Sequence, residues 1–393
     1  MKVAIVIPDG LSATLFCSGM IRAICRSAEC EVAVISEAGE SGTRIEELGA
    51  RSIELRMHRY VSPLRDVVYV LRLAQILRRE KFDSVVNFST KPNVYGPIAA
   101  RLAGCHRVVC HVVGLGSTFI VSEGKDPSRW ALRVVVRLLY RLAARLSDAM
   151  WFTNRNDLAC FEEWGLVRRT ETLLTRSYLD VNRYSAAGIT EDAVESVRCE
   201  LGLEGGDLVV LMIARMIWAK GIREFVEAAV FLHSTFPSLH FVLVAPPEED
   251  SDGAVPASYI AQHTSKANLQ WLGFRSDIES LIGLCDVAVL PSYYREGGYP
   301  RALLEPMAMG KPVVAADTTD CRGPVDHGVT GYLVPPRDSR ALAAAIAKLV
   351  EDPSLRKTFG ANARQRIESE FDEDVIVPEA LCGLGILPQF STP

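Results

Sequence analysis

Residues 286–317 read DVAVLPSYYREGGYPRALLEPMAMGKPVVAAD. An apolar run of strand length stops at Pro291, a loop with Gly297 and Gly298 follows, RALLEPMAM has the length of a short helix, and PVVAA opens a second apolar run. Two buried strands joined through a helix form a crossover unit, which belongs to a parallel sheet covered on both faces. Working outward, the same alternation recurs in LVVLMIA (208–214), HFVLVA (240–245) and LQWLG (269–273). It recurs again in VAIVI (3–7), VAVI (32–35), SVVNF (84–88), RVVCHVV (107–113) and AMWFT (149–153). Between the two sets, residues 180–206 lack strand character and hold Gly188, Gly202, Gly205 and Gly206. The expected fold class is therefore α/β, with two doubly wound, Rossmann-like domains facing each other across a cleft. The expected boundaries are 1–180, a connection at 181–206, a second domain at 207–375, and a tail at 376–393 that packs back on the first domain.

Bulk properties narrow the function. The 393 residues are 49% apolar and 23% charged, an ordinary globular balance, and the net charge of -5 speaks against a dedicated nucleic-acid binder. The charge is uneven: residues 1–180 carry +6 and residues 181–393 carry -11, so the halves are expected to meet different partners. Ten cysteines show no CxxC pair and no zinc spacing, and Cys110 and Cys285 sit inside apolar runs, as reduced buried thiols do. MKVAIVIPDG is expected to be a strand rather than a signal peptide, and no apolar run approaches the roughly 18 residues of a membrane span. The expected location is cytoplasmic, peripheral on the inner face of the cell membrane.

In parallel sheets ligands bind beyond the carboxyl ends of strands, near helix N-termini that favour anions. After the strand at 208–214 stand Arg215 and Lys220, five residues apart in a turn that enters a helix. Arginine grips two oxygens and lysine adds a mobile charge, a pairing suited to a diphosphate. After the strand at 286–291, Glu296 lies in the glycine loop and Glu305 on the helix. A carboxylate accepts hydrogen bonds from vicinal hydroxyls, as on a ribose or a sugar ring, while Glu305 can also pair with Arg301 at i-4.

These pieces, in the order R-x4-K-G, LGF-R-x-D, PS-x3-EG-x2-P-R-x-LLE-x-MA-x-GKPVVA and DHGVTGYLVPPRD, resemble family 4 retaining glycosyltransferases of the GT-B fold, of the bacterial polysaccharide and lipid-linked glycan type. The resemblance covers 208–340. It implies that Arg215 and Lys220 hold the donor diphosphate, that Gly273, Phe274 and Arg275 lie at the base, and that Glu305 holds the ribose. It further implies that Glu296 faces the transferred sugar as a catalytic residue, with backbone around Gly297, Gly298, Tyr299, Leu303 and Leu304 on sugar and phosphate. The family separates its two glutamates by seven residues, whereas eight lie between Glu296 and Glu305, so one extra residue is expected within GGY.

The N-terminal half resembles the family more loosely. Gly10, the single glycine of the turn after the first strand, is expected near acceptor or sugar, as are Gly114, Gly116 and Ser117. Where many members place a catalytic histidine stands Val113. His111, on the same strand face, is expected either at the cleft or in the core. Residues 127–146, PSRWALRVVVRLLYRLAARL, carry Arg129, Arg133, Arg137, Arg141 and Arg145 at every fourth position, with Trp130 at the start and no acid. Each step of four advances about 40°, which makes one stripe. Leu132, Val135, Leu139, Leu142 and Leu146 are expected to pack on the sheet from the other side. Together with the basic stretch 51–81, the stripe is expected to face anionic membrane lipid.

The resemblance thus implies transfer, with retention and without a metal, of a sugar from a nucleoside diphosphate, UDP by default, to a glycan or polyprenyl-diphosphate-linked acceptor. A nucleotide-sugar epimerase and a catalytically silent nucleotide-sugar binder stand as alternatives. A nicotinamide oxidoreductase is disfavoured because neither first strand is followed by the GxGxxG turn.

Overall fold

The computed structural model of the chain describes residues 1–27, 29–58, 62–114, 127–167, 170–185, 188–248, 253–264 and 267–387, and the side chains of 127–133 fall outside that set. The chain divides into unit 1, Met1–Tyr178 with Glu373–Pro393, and unit 2, Leu179–Asp372.

Unit 1 holds strands β1 (Lys2–Asp9), β2 (Glu31–Glu37), β3 (Arg51–Glu54), β4 (Ser84–Phe88), β5 (Arg107–Val112), β6 (Ala149–Phe152) and β7 (Glu171–Leu174). They form one parallel sheet in the order β3-β2-β1-β4-β5-β6-β7. Its helices are α1 (Gly10–Phe16), α2 (Ser18–Cys25), α3 (Gly42–Glu47), α4 (Pro63–Glu80), α5 (Thr90–Ala103), α6 (Pro127–Leu146) and α7 (Arg155–Glu163). The order reverses between β1 and β4, as doubly wound sheets do at the edge where ligands bind.

Unit 2 begins with α8 (Glu191–Glu200), β8 (Leu208–Ile213), α9 (Ile222–His233), β9 (Leu239–Val244), α10 (Ala257–Thr264) and β10 (Leu269–Trp271). It continues with α11 (Ile278–Leu284), β11 (Val287–Leu290), α12 (Arg301–Ala308), β12 (Val313–Ala316), α13 (Thr319–Arg322), β13 (Gly331–Val334), α14 (Ser339–Glu351) and α15 (Pro353–Glu370). The sheet order is β10-β9-β8-β11-β12-β13, so the reversal lies between β8 and β11. Their side chains divide between two apolar clusters. Val210 and Met212 pack under α9 and α14 on one side, and Val209 and Leu211 under α12 and α15 on the other. Burial of both strand faces is why these strands read as unbroken apolar runs.

Three expectations are corrected. Residues 181–206 are not a connection. The Thr190 hydroxyl caps α8, and Val181, Tyr184, Val197, Leu201 and Leu203 are buried in the unit 2 core. The glycines there masked an amphipathic helix. The register of α6 also differs. Val136, Leu139, Tyr140 and Ala144 pack toward the sheet and Ala143 is buried, whereas Val135 and Leu142 are exposed. Small alanines let the helix approach the sheet closely, on a side that a count of large residues misplaces. Finally, the unit boundary at the C-terminal end falls before α16 (Glu373–Gly383), not at 375. The buried Glu373 carboxylate accepts from Ser18 Oγ at 3.4 Å and pairs with Arg22, while Val377 and Leu381 join the unit 1 core.

Candidate active site

Unit 2 places the loops after β8 and β11 side by side because those strands are neighbours at the switch point. Gly221 sits between them with φ 82°, and a Cβ there would stand 2.3 Å from the Pro291 carbonyl oxygen, so only glycine lets α9 start so close to the second loop. Tyr293 N–H donates to the Ala219 carbonyl at 3.0 Å and ties the two loops directly.

Four charged or hydroxyl groups meet there. Lys220 Nζ donates to Glu296 Oε2, and Ser292 Oγ donates to Glu296 Oε1 at 2.7 Å. Both members of the ion pair are largely buried, at 12% and 9% side-chain exposure, so removing either would leave the other as an uncompensated buried partner. Arg215 and Lys220 both lie over the ring of Tyr294, at 4.9 and 5.1 Å from its centroid, which brings the two cations to one spot. Arg215 is the more open, 41% exposed, with Glu248 at 3.9 Å. This arrangement can accept an anion at Arg215 and Lys220 with a carboxylate immediately beside it.

The loop between the two glutamates bends at a pair of glycines. Gly297 and Gly298 take φ of 71° and 143°, conformations that other residues adopt at a cost. Tyr299 then turns onto Phe371, edge to face at 5.8 Å. The loop is held from behind by Asp320, which sequence reasoning missed. Its carboxylate accepts the Glu296 N–H at 2.8 Å and the Gly297 N–H, and burial pushes its pKa up. Asp320 lies 24 residues from Glu296, at the start of α13, so no local pattern announces the contact. Ser292 and Tyr294 were also missed, although both flank the strand end inside the quoted motif.

Glu305 is buried on α12 and accepts from Arg301 Nε at 2.7 Å, the i-4 pairing left open by the sequence. Burial works against the Arg301 charge, but Glu305 and Tyr184 beside it outweigh that and hold its pKa above the ordinary value. The Leu303 and Leu304 amides were expected to face the donor. They instead donate to the Pro300 carbonyl at 2.9 and 3.2 Å, closing the first turn of α12, and both side chains are core. At the turn after β10, Gly273 has φ 65° and Arg275 is tied to Glu200 at 2.9 Å and Asp277 at 2.6 Å. Phe274 is 66% exposed, which leaves its ring open to stack.

In unit 1, His111 is corrected from a catalytic candidate to a core residue. It is fully buried, stacked on Trp151 at 3.8 Å and edge-on to Phe88 at 4.7 Å, and neither ring nitrogen has a hydrogen-bond partner. Burial pushes its pKa down to about 3, so the ring stays neutral. Gly10 is buried, and a Cβ there would lie 2.5 Å from the Ala38 carbonyl oxygen, so it serves the packing of α1. Gly114 follows β5 and is half-buried. Gly116 and Ser117, and the side chains of Arg129, Trp130 and Arg133, lie outside the described residues. Arg137, Arg141 and Arg145 are exposed, with Arg137 stacked over Trp164 at 4.3 Å.

Two family models match the chain: "Glycosyl transferases group 1" over residues 194–366 and "Glycosyl transferase 4-like domain" over residues 17–175. The chain is 27% identical, over 97% of both chains, to N,N'-diacetylbacillosaminyl-diphospho-undecaprenol alpha-1,3-N-acetylgalactosaminyltransferase of Campylobacter jejuni. It is 31% identical to alpha-D-kanosaminyltransferase of Streptomyces kanamyceticus, over 76% of this chain and 75% of that one. Among solved structures, Anabaena Alr3699/HepE in complex with UDP-glucose is similar in fold with a TM-score of 0.74 at 22% identity, covering 98% of this chain and 100% of that one. With two Rossmann-like units and both matches in register with them, the chain belongs to the group 1 glycosyltransferases and is a glycosyltransferase of the GT-B architecture.

Proposed function

We propose that this glycosyltransferase moves a hexose or N-acetylhexosamine, with retention and without a metal, from a UDP-sugar to a polyprenyl-diphosphate-linked glycan. The observation that carries the reading is the buried Lys220–Glu296 pair beside Arg215 at the β8/β11 switch point. A donor diphosphate entering there takes Lys220 as its counter-ion and leaves the Glu296 carboxylate to the sugar. As the bond from the anomeric carbon to the diphosphate oxygen breaks, Arg215, Lys220 and the N-terminus of α9 meet the charge left on the phosphate. Glu296 offsets the positive charge on the sugar ring. The acceptor hydroxyl attacks from the face the diphosphate leaves, and a phosphate oxygen takes its proton. The Campylobacter relative is named for an acceptor on diphospho-undecaprenol, as is the Escherichia coli UDP-Gal:alpha-D-GlcNAc-diphosphoundecaprenol alpha-1,3-galactosyltransferase, 27% identical over 80% of this chain. Both names support a lipid-linked acceptor.

No helix among the described residues is long and apolar enough to cross a membrane. The proposal therefore brings unit 1 to the lipid surface from one side, with Arg137, Arg141 and Arg145 of α6 toward anionic headgroups.

A thermal-shift panel tests the donor site, since a ligand that binds only the folded chain raises its apparent stability. UDP and its sugars are expected to shift the melting temperature more than ADP or GDP. Glu305→Gln is expected to shrink the UDP shift, whereas Glu296→Gln keeps it and slows turnover. Equal loss of binding and turnover in both variants would contradict the division of roles.

A further inference from the structure

Helices α4, α5 and α6 form one layer on the unit 1 sheet, with α5 in contact with both of the others. Helix α4 buries Asp66, Tyr69, Leu73 and Leu77 on its sheet side. Its other side is apolar as well. Leu64, Val67, Val68 and Leu71, at i, i+3, i+4 and i+7, are all exposed, Leu64 to 85%. An outward stripe of this kind withholds burial that each side chain would otherwise gain, and such patches mark interaction surfaces.

The stripe has a direction. It occupies only the first half of α4. From residue 75 onward the exposed positions are Gln75, Arg78 and Arg79. Because α4 leaves the carboxyl end of β3 and runs back to the start of β4, its apolar half stands at the carboxyl edge of the sheet, the edge where ligands of such sheets bind. Across α5, helix α6 turns Val135, Leu138 and Leu142 outward beside Arg141 and Arg145.

Charge selects the occupant. Arg65 and Arg72 flank the stripe and are exposed. The acid of that half, Asp66, is buried and held by Lys91 at 2.7 Å and Tyr95 at 3.0 Å. A second copy docking by the same face would set arginine against arginine, which association disfavours. Anionic lipid satisfies both features: headgroups meet the arginines, and the acyl boundary takes the leucines and valines.

We propose that the outward face of α4, Leu64, Val67, Val68 and Leu71 between Arg65 and Arg72, inserts into the interface of an anionic bilayer. The chain's acceptor edge then meets a lipid-borne substrate at the depth of its headgroup. The proposal rests on the membrane contact argued above and deepens it by naming an apolar element distinct from the α6 arginines.

The test is flotation of the full-length protein with vesicles of phosphatidylcholine alone or containing about one-third phosphatidylglycerol. A Leu64→Ser/Val68→Ser/Leu71→Ser variant is compared with Arg137→Gln/Arg141→Gln/Arg145→Gln. Wild type is expected to float with anionic vesicles. The serine variant should bind at least about tenfold more weakly, with unchanged melting temperature and unchanged turnover on a water-soluble acceptor analogue. Serine variants that float like wild type while the arginine variant does not would overturn the α4 proposal and leave the membrane contact standing. Wild type that fails to float on anionic vesicles would remove both. A wild-type dimer that the serine substitutions convert to monomer in sedimentation would overturn the proposal by assigning the face to self-association.

Discussion

Lys220→Ala is expected to lower turnover by about a hundred- to a thousandfold, the cost of removing one charge-stabilising donor from a transition state. The reason is local. Lys220 is largely buried, reaches Glu296, and shares the Tyr294 ring with Arg215, whose more exposed guanidinium does not contact Glu296 among the described interactions. Removing it also strands the Glu296 carboxylate, which among the described residues then keeps only the Ser292 hydroxyl as a side-chain donor. That penalty falls on stability and is read separately, as a lower melting temperature. Lys220→Arg keeps the charge and is expected to recover part of the turnover but not all, because a planar fork does not replace a compact ammonium under the Pro291 loop. Initial rates at saturating donor check both variants. A Lys220→Ala enzyme within a few-fold of wild type would remove this residue from the chemistry.

The second large effect is expected from a residue that touches no substrate. Asp320→Ala takes the acceptor away from the Glu296 and Gly297 amides, and a buried unpaired amide costs roughly 1–3 kcal/mol. The loop relieves that cost by shifting, and Glu296 shifts with it. Turnover is expected to fall about ten- to a hundredfold while the UDP-induced thermal shift stays near wild type. Asp320→Asn retains an acceptor oxygen and should restore most of the rate. It also separates position from charge. Burial raises the Asp320 pKa, so in wild type its protonation begins at a higher pH than for an ordinary aspartate and adds to the acid limb of the rate profile. That contribution is expected to vanish in the asparagine variant. An alanine variant with wild-type turnover, or an asparagine variant as slow as alanine, would show that Asp320 does not set the loop.

What the sequence disclosed follows from how each feature is built. The central strands β1, β4, β8 and β11 are buried on both faces and appear as continuous apolar runs. The edge strands β3 and β7, with sequences RSIE and ETLL, have no fully buried position and leave no such run. Arg215, Lys220, Glu296 and Glu305 were legible because their order along the chain mirrors two adjacent strand ends. Asp320 and Tyr294 were not, since their value lies in contacts made only after β11 is placed beside β12 and β8. The α6 register was misread for a related reason: Ala144 carries little hydrophobic weight, yet its small size lets the helix seat against Cys110 and Met150. Arg215, Lys220 and Glu296 are brought to one spot, while Glu305 pairs with Arg301 on α12. Glu296 is sharpened from a lone carboxylate beside an insertion to the buried end of an ion pair that two glycines and Asp320 hold in place.

Transfer itself is the most direct measurement. The purified chain is incubated with a panel of UDP-sugars and a polyprenyl-diphosphate-linked sugar in the presence of a metal chelator, and the anomeric configuration of the product is read by NMR. The expected result is a single added sugar with the donor's configuration, formed at a rate that the chelator does not change. Release of free sugar or an epimerised donor with no glycosylated lipid would contradict it.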